Sequence, residues 1–136
     1  MNEKKLHLEI TTPEKVLISE DVNFFVAPGV DGEFQILPGH TPFLTDLKIG
    51  HIIFNKNGKT THISISGGFC EFKQNKTVIL AHTAEKVSDI DETRAQEAKN
   101  RAEKRLENKN DPSIDEERAK LALFRAINRL ELLEYR

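Results

Sequence analysis

Residues Ile49 to Ser66 read I-G-H-I-I-F-N-K-N-G-K-T-T-H-I-S-I-S, in which two extended segments surround Asn57-Gly58. The segments are rich in Ile and Thr, β-branched residues that favour strands. An Asn-Gly pair between two such segments suits a tight turn in which both central residues have a positive φ. This stretch therefore predicts a β-hairpin.

The chain on either side of this hairpin divides into short runs separated by turn formers. The run Leu6–Ile10 alternates apolar and polar residues, and Pro28–Gly32 and Pro38–Pro42 have the composition of a turn and a loop. All seven glycines lie between Gly29 and Gly68. Many short strands at this spacing predict a β-sandwich or a flattened barrel.

The last fifty residues have the opposite composition. They contain no glycine and one proline, and all seven arginines lie at or after Arg94. Ala, Leu, Glu, Lys and Arg, which replace the turn formers, favour helix. We therefore place a boundary near residues 85–90, with a β domain over residues 1–87 and a helical domain over residues 88–136.

Two helices are predicted in the second domain. The segment Asp89–Asp91 offers an N-cap for a first helix over about residues 91–108, after which N-K-N-D-P breaks it. Ser113 and Glu116 form an S-x-x-E capping box, which predicts a second helix that ends at about Leu133. Because the break between the helices is short, they are expected to form an antiparallel hairpin.

Both helices carry an apolar stripe at helical spacing, and much of it is alanine. Burying one methyl group contributes about 0.8 kcal/mol. The hairpin is therefore expected to be marginally stable and able to open. The stripe consists of Ala95, Ala98, Ala102 and Leu106 in the first helix and Ala119, Ala122, Leu123, Ala126, Ile127, Leu130 and Leu133 in the second.

The composition argues against several classes of protein. The chain has 20 basic and 22 acidic residues, a net charge of −2, whereas a nucleic-acid binder normally has a basic excess. The one cysteine, Cys70, cannot form an internal disulfide and is expected to be a small buried residue. No apolar run approaches the roughly 18 residues that span a bilayer.

The sequence also lacks the motifs of common enzymes. It has no Walker-A loop, dinucleotide fingerprint or nucleophile elbow, and its five histidines lack metal-ligand spacing. His40, in a Pro-Gly-His-Thr-Pro loop, is expected to fix that loop by hydrogen bonding. Glu33 stands in a turn without a readable second carboxylate. These features argue against an enzyme that acts alone.

Three arginines form the one cluster that suggests a ligand. If the helical hairpin folds at its midpoint, Arg94, Arg125 and Arg129 gather at its open end, with Asp91 beside them. Guanidinium groups suit phosphate oxygens, and a carboxylate can accept from a ribose hydroxyl or a base amino group. The competing interpretation is ordinary ion pairing on the helix surface with Glu97 and Glu131.

The order of these parts resembles the epsilon subunit of bacterial F-type ATP synthases over nearly the whole chain. Each motif is weak alone, but their order, followed by a helical hairpin, is specific. The sequence departs from the family pattern at Gln35, where glycine is usual, and at His82, where aspartate is common. The motifs are Ile10–Glu14 (I-T-T-P-E), Val26–Gly29 (V-A-P-G), Asp31–Pro42 (D-G-E-F-Q-I-L-P-G-H-T-P), Ile65–Phe69 (I-S-G-G-F), Val78–Ala81 (V-I-L-A) and Ile90–Ala95 (I-D-E-T-R-A).

The resemblance implies a β-sandwich of about ten strands followed by an antiparallel two-helix hairpin. It implies a non-catalytic central-stalk subunit that couples ion flow to ATP synthesis. The implied partners are the gamma subunit, the membrane rotor ring of c subunits and, when the C-terminal helices restrain ATP hydrolysis, the alpha/beta head. No nucleic acid is expected. The implied location is the cytoplasmic side of a bacterial inner membrane, reached only through the complex.

The resemblance also implies roles for particular residues. Glu33 and His40 match positions at or beside the contact with the rotor ring. Some family members bind regulatory ATP in the compact hairpin, and no metal is required there because arginines supply the counter-charge. The matching positions here are Glu85 in the linker, Ile90, Asp91 and Arg94 in the I-D-x-x-R-A motif, and Arg125 and Arg129 in the second helix.

Two other functions stay open at this point. The first is a free-standing nucleotide-sensing module that acts on another partner through the same hairpin. The second is a small enzyme with a cleft around Glu33 and His40. Co-purification with a large membrane ATPase tests the first alternative, and a turnover assay on the isolated chain tests the second.

Overall fold

The computed structural model describes residues 4–108 and 110–135, so residues 1–3, Lys109 in the predicted helix break, and Arg136 lie outside the described residues. The chain divides into two units, Met1–Lys86 and Val87–Arg136. The first unit contains the β-strands, and the second contains two α-helices.

The strands of the first unit join in the order β2-β1-β7-β6-β5-β3-β4, and β8 pairs with β6. Neighbouring strands are antiparallel, except that β1 and β7 are parallel. The strands are β1 Leu6–Thr11, β2 Val16–Val22, β3 Phe24–Gly29, β4 Gly32–Ile36, β5 Phe43–Lys56, β6 Lys59–Lys73, β7 Lys76–Ala81 and β8 Ala84–Lys86.

One hydrophobic core joins the two ends of this sheet. Ile18 from β2 and Ile36 from β4, strands at opposite ends of the sheet, belong to the same cluster of buried side chains. Strand β2 also contacts β5, which is not its neighbour in the sheet. The sheet therefore folds over on itself around one core, and the predicted β-sandwich is confirmed.

The described residues contain eight strands rather than about ten, because β5 and β6 are long. They have 14 and 15 residues, and β6 joins two segments that the sequence separates. Gly67 and Gly68 have φ values of +107° and +153°. These conformations suit glycine, and they let β6 bend without ending.

The hairpin predicted from Asn57-Gly58 is confirmed. Both residues have a positive φ, 53° and 85°, and Lys56 pairs with Lys59 across the turn. The Asn57 N–H donates to Asn23 Oδ1 at 2.7 Å, which attaches the turn to the residue before β3.

The two helices are α1, Glu92–Glu107, and α2, Glu116–Leu132. Asp91 is the N-cap of α1, and its carboxylate accepts from the Arg94 N–H at 3.1 Å. A side-chain acceptor at this position satisfies one of the backbone N–H groups that a helix N-terminus leaves without a partner. The segment that the sequence offers as the N-cap is therefore correct.

The predicted cap of α2 is wrong. Asp115, not Ser113, is the N-cap, and its carboxylate accepts from the Arg118 N–H at 3.1 Å. Both the N–H and the hydroxyl of Ser113 donate to Asp111 Oδ1, at 2.9 and 2.8 Å. These bonds lower the pKa of Asp111. Ser113 thus closes a turn before the helix starts.

The helices pack on each other, and their short connection makes the hairpin antiparallel. The buried residues are Ala95 and Ala102 on α1 and Ala119, Ala126, Asn128 and Leu132 on α2. Alanines thus occupy much of the contact, as predicted, while the buried Asn128 and Leu132 lie outside the predicted stripe. No helix among the described residues is long and apolar enough to cross a membrane.

Candidate functional site

Glu33 lies on β4, a strand at the edge of the sheet, and its side chain is exposed. It pairs with Pro28 of β3. Gln35, two residues further on, pairs with Val26 and has no positive φ, so glutamine replaces the usual glycine here without backbone strain. The edge strand therefore presents a carboxylate on an ordinary extended backbone.

His40 lies in the loop between β4 and β5, and its ring is fixed by its neighbours. Ring centroids of Phe43 and Phe72 lie 6.0 and 5.8 Å from the imidazole, both edge to face. Its Nδ1 lies 2.7 Å from the Thr41 carbonyl oxygen. Since a carbonyl only accepts, Nδ1 carries the proton. His40 thus fixes the loop by hydrogen bonding, as its sequence context predicts.

A third residue holds the same loop, and the sequence indicates it only as part of a turn. The Gly39 N–H donates to Asn75 Oδ1 at 3.0 Å, and Asn75 Nδ2 donates to the Lys5 carbonyl at 2.7 Å. The His7 N–H donates to the Asn75 carbonyl at 3.0 Å. Asn75 therefore connects the loop, the β6–β7 turn and the start of β1.

The antiparallel hairpin places the predicted phosphate-binding arginines at one end, where the first turn of α1 lies beside the second half of α2. Arg94 and Arg125 each precede a buried alanine of the contact, Ala95 and Ala126 respectively. Arg129 follows Arg125 by four residues and so lies on the same face of α2. Arg94 is exposed, and the two arginines of α2 are half-buried.

The competing interpretation is that glutamates of the helices neutralise these arginines. The described residues do not support it for Arg94 and Arg125. Arg94 and Arg125 form no ion pair with any residue in 4–108 or 110–135. One ion pair within α2 joins Lys120 to Glu116 at 3.3 Å. The charges of Arg94 and Arg125 are therefore available to an anion.

The other predicted nucleotide-binding residues lie in different places. Glu85 belongs to the first unit, on β8, opposite Ser64 of β6. Ile90 is buried, and its N–H donates to the Val87 carbonyl at 3.3 Å. Asp91 is exposed, but one carboxylate oxygen already caps α1. A ligand that binds the Asp91 carboxylate must therefore either share it with the Arg94 N–H or displace that capping bond.

An apolar groove of about 450 Å³ lies on the β domain. Its lining includes Thr12, Pro13, Phe69, Leu80 and Ala81. Leu80 is 51% exposed, which is unusual for a leucine on a strand of a folded domain. Three of the motifs that carry the resemblance, Ile10–Glu14, Ile65–Phe69 and Val78–Ala81, contribute to this lining. The sequence does not show that they meet, because they lie far apart in the chain.

Two buried or half-buried titratable groups lie elsewhere in the β domain. Burial and the neighbouring His51, whose ring lies 5.8 Å away, lower the pKa of His62. Burial raises the pKa of the Cys70 thiol to about 12, so the predicted buried cysteine is confirmed and is unreactive. No group of three or more His, Cys, Asp or Glu in the described part of the chain is placed to hold a metal ion.

The chain thus consists of a β-sandwich domain followed by a helical hairpin domain. Residues 5–87 match the family model described as ATP synthase, Delta/Epsilon chain, beta-sandwich domain, and residues 88–134 match the long alpha-helix domain of the same chain. The chain therefore belongs to the ATP synthase delta/epsilon chain family. It is of the epsilon type, a non-catalytic subunit of F-type ATP synthase, which sets aside the small-enzyme alternative.

Relatives named ATP synthase epsilon chain align over nearly their whole length. The chain of Nitratidesulfovibrio vulgaris (strain DP4) is 49% identical over 130 residues, which cover 96% of each chain. That of Desulforamulus reducens is 49% identical over 131 residues, covering 96% of this chain and 98% of its own.

Solved structures share the fold at low sequence identity. A chain of the Euglena gracilis mitochondrial ATP synthase, described as OSCP/F1/c-ring, superposes with a TM-score of 0.84 at 21% identity, covering 95% of this chain and 81% of its own. A chain of the Tetrahymena thermophila enzyme, described as central stalk/c-ring, has a TM-score of 0.54 at 14% identity, with 65% and 72% covered.

Proposed function

We propose that this chain is a central-stalk subunit that couples ion-driven rotation to ATP synthesis, with the gamma subunit and the c ring as its partners. It acts at the cytoplasmic side of a bacterial inner membrane, attached through the complex, and needs no cofactor for coupling. The observation that carries this proposal is the exposed Glu33 on the edge strand β4, together with the loop after this strand, whose His40 is held by two aromatic rings and a hydrogen bond. A rigid polar protrusion suits transmission of force better than a mobile loop.

Glu33 and His40 supply the polar contacts to the rotor ring in this proposal. Because Nδ1 of His40 donates to the Thr41 carbonyl, its Nε2 can accept a hydrogen bond from a residue of the c ring. The Glu33 carboxylate can accept two or more bonds. Both acceptors fit basic or hydroxyl side chains in the polar loops of a rotor.

Replacing Glu33 or His40 by alanine is expected to lower the number of ions pumped per ATP hydrolysed by about twofold or more, because each variant removes about 1–3 kcal/mol of contact. ATP hydrolysis by the detergent-solubilised complex should change little. Proton or sodium uptake into vesicles that contain the reconstituted complex measures the effect. Glu14→Ala, in the exposed turn after β1, is the control, and a loss equal to that of Glu33→Ala would contradict the assignment.

The apolar groove is the β-domain surface that we assign to gamma. A solvent-exposed apolar lining gains most from burial against a partner, at about 25 cal/mol for each Å² covered. Leu80 and Phe69 are two of the large apolar residues that line it. The loop and the groove are thus assigned to different partners.

Leu80→Glu is expected to weaken binding to gamma by about tenfold or more, because it places a carboxylate in an apolar contact. Leu44→Glu is the matched control, since Leu44 is 60% exposed and does not line the groove. Pull-down of the full chain by gamma measures both variants. Equal loss in the two variants, or none in Leu80→Glu, would place gamma elsewhere.

The helical hairpin restrains ATP hydrolysis when it opens and reaches the alpha/beta head. Support comes from its contact, which is built largely of alanines and therefore costs little to separate. The basic residues of α2, including Arg118 and Lys120, suit an acidic surface on the head. The open and closed states of the hairpin then differ in free energy by a few kcal/mol, which contacts with a partner can offset.

A chain that ends at Val87 is expected to bind gamma and to raise ATP hydrolysis by the assembled complex several-fold, because the restraining element is missing. Circular dichroism checks first that the shortened chain folds as a β protein. Hydrolysis at saturating ATP, with the full chain as the control, is the measurement. Unchanged hydrolysis would remove the helices from regulation.

The hairpin is also proposed to bind regulatory ATP, without a required metal, through Arg94, Arg125 and Arg129, with Asp91 and Ile90 near the nucleoside. The role of Glu85, which belongs to the first unit, stays a prediction. The absence of ion pairs at Arg94 and Arg125 among the described residues favours this function. The same site would serve a free-standing nucleotide sensor. Co-purification with the membrane ATPase distinguishes the two roles, and the match of 96% of the chain to epsilon chains supports the subunit.

A further inference from the structure

Asn75 is placed to control the position of the loop that carries His40. It lies in the turn between β6 and β7, 36 residues from Gly39 and 70 from Lys5. Its φ of 60° lies in the left-handed region, which asparagine tolerates better than most residues. The backbone conformation of the turn thus suits asparagine, and the Asn75 side chain forms hydrogen bonds with residues far away in the sequence.

The two ends of the Asn75 amide have different partners, which fixes its orientation. The oxygen accepts from the Gly39 N–H at 3.0 Å, and the nitrogen donates to the Lys5 carbonyl at 2.7 Å. A backbone N–H only donates and a carbonyl only accepts, so the amide cannot be turned over. The backbone of Asn75 adds a third bond, from the His7 N–H at 3.0 Å.

We propose that Asn75 is a positioning residue for coupling: its amide holds Gly39, and through it His40, at a fixed height relative to β1 and the β6–β7 turn. This inference rests on the proposed contact between the Glu33–His40 region and the rotor ring. His40 contacts Phe43 and Phe72 edge to face, and the amide of Asn75, in the β6–β7 turn, holds the preceding residue, Gly39. A loop held at both residues transmits force with less displacement than a loop held by ring packing alone.

The side chain is exposed, so the bonds are worth little to global stability, and their loss acts on loop position instead. Gly39 itself has a φ of 82° and no heavy atom within 4 Å of an added Cβ. The space that a side chain at Gly39 would fill is therefore open. Removing the amide releases Gly39, while the ring contacts of His40 and the sheet stay intact.

Asn75→Gly is the test variant, because glycine keeps the left-handed backbone and removes only the amide. In the full chain, hydrogen exchange at the Gly39 amide is expected to accelerate by about tenfold, the equivalent of one lost hydrogen bond. Exchange in the centre of β1, at Leu8, should not change. In the reconstituted complex, the number of ions pumped per ATP hydrolysed should decrease, as it should in His40→Ala.

Gln74→Gly is the matched control. Gln74 occupies the same turn with a φ of 52°, and its side chain forms no hydrogen bond with the described residues. A second variant, Asn75→Asp, keeps an acceptor for Gly39 but loses the donor to Lys5, and it should accelerate Gly39 exchange less than Asn75→Gly does. Altered coupling in Gln74→Gly equal to that in Asn75→Gly would overturn the inference.

Three other results would also overturn it, and they separate it from the proposed function. Unchanged Gly39 exchange in Asn75→Gly shows that the amide does not hold the loop. Faster exchange with normal coupling, while Glu33→Ala and His40→Ala remain defective, shows that loop position does not matter although the rotor contact is real. Normal coupling in all these variants would contradict the proposed contact with the rotor ring, and the inference about Asn75 would fail with it.

Discussion

Gly68→Ala is expected to remove about 3 to 6 kcal/mol of the stability of the β domain, which is a large share of what a small domain has. A Cβ on Gly68 would lie 2.2 Å from the Leu80 carbonyl oxygen and 2.9 Å from Ala81 Cα. Both atoms belong to the backbone of β7, which is held between β1 and β6. Neither can move away without breaking strand pairing.

Backbone strain adds to this clash. The φ of Gly68, +153°, is one that residues with a side chain rarely adopt. Gly58→Ala separates the two causes, because Gly58 has a φ of +85° but no heavy atom within 4 Å of the added Cβ. Gly58→Ala should therefore cost about 1 to 2 kcal/mol from strain alone.

Urea unfolding of the full chain, with hydrogen exchange of β6 and β7 amides as a probe of the β domain, measures both variants. Because the chain has two units, a probe located in these strands is needed to exclude unfolding of the helices. If the two variants lose equal stability, the contact between Gly68 and β7 is not the constraint described here.

Features that depend on neighbouring residues could be predicted from the sequence. Asn57-Gly58 specifies its turn because both residues tolerate a positive φ, and the ladder that follows is a consequence. The predicted bounds of α1 differ from the observed ones by one residue at each end. In both elements, the residues that determine the structure lie within a few positions of the structure itself.

Features that depend on competition between local signals, or on contacts distant in the sequence, could not be predicted from the sequence. Ser113 and Asp115 are both good caps, and only the turn that Ser113 forms with Asp111 decides which of them starts α2. The unbroken course of β6 through Gly67-Gly68 depends on pairing with β5 and β7. Asn75 is a turn residue in the sequence, and its bonds to Gly39 and Lys5 appear only when the sheet has formed.

The candidate sites divide in the same way. Helical spacing and the antiparallel hairpin are enough to place Arg94, Arg125 and Arg129 at one end, because both follow from local signals. The apolar groove around Leu80 follows from strand order, which sequence patterns do not specify. The dual role of Asp91, as a helix cap and as a proposed ligand of the nucleoside, also needs the structure.

The full chain is expected to bind ATP, and Arg94→Ala or Arg125→Ala to weaken that binding by about ten- to a hundredfold each. A hydrogen bond to a charged group is worth about 1.5 to 3 kcal/mol, and phosphate oxygens offer such bonds to guanidinium groups. Neither arginine has to break an ion pair with a described residue in order to bind. Isothermal titration with ATP, without a divalent metal, measures the affinity.

Arg101→Ala is the matched control for charge. It removes one exposed arginine from α1, two turns away from Arg94, and should change ATP affinity by less than about threefold at physiological salt, where distant charges are screened. Asp91→Asn tests the second role of the cap residue. Asparagine caps helices as well as aspartate does, so reduced ATP affinity with unchanged helix stability would assign the carboxylate to the ligand.

In the proposed function, binding of ATP to the compact hairpin would link this site to regulation. A ligand that binds one state alone stabilises it by RT ln(1 + [L]/Kd), which is about 2.7 kcal/mol at a hundredfold excess over Kd. A contact built largely from alanines leaves a gap between states of similar size, so ATP at such an excess would hold the helices away from the head. Arg125→Ala should therefore make inhibition of hydrolysis insensitive to ATP concentration. If the wild-type chain does not bind millimolar ATP, or if Arg94→Ala, Arg125→Ala and Arg101→Ala all bind as it does, the arginines form only a solvated helix face.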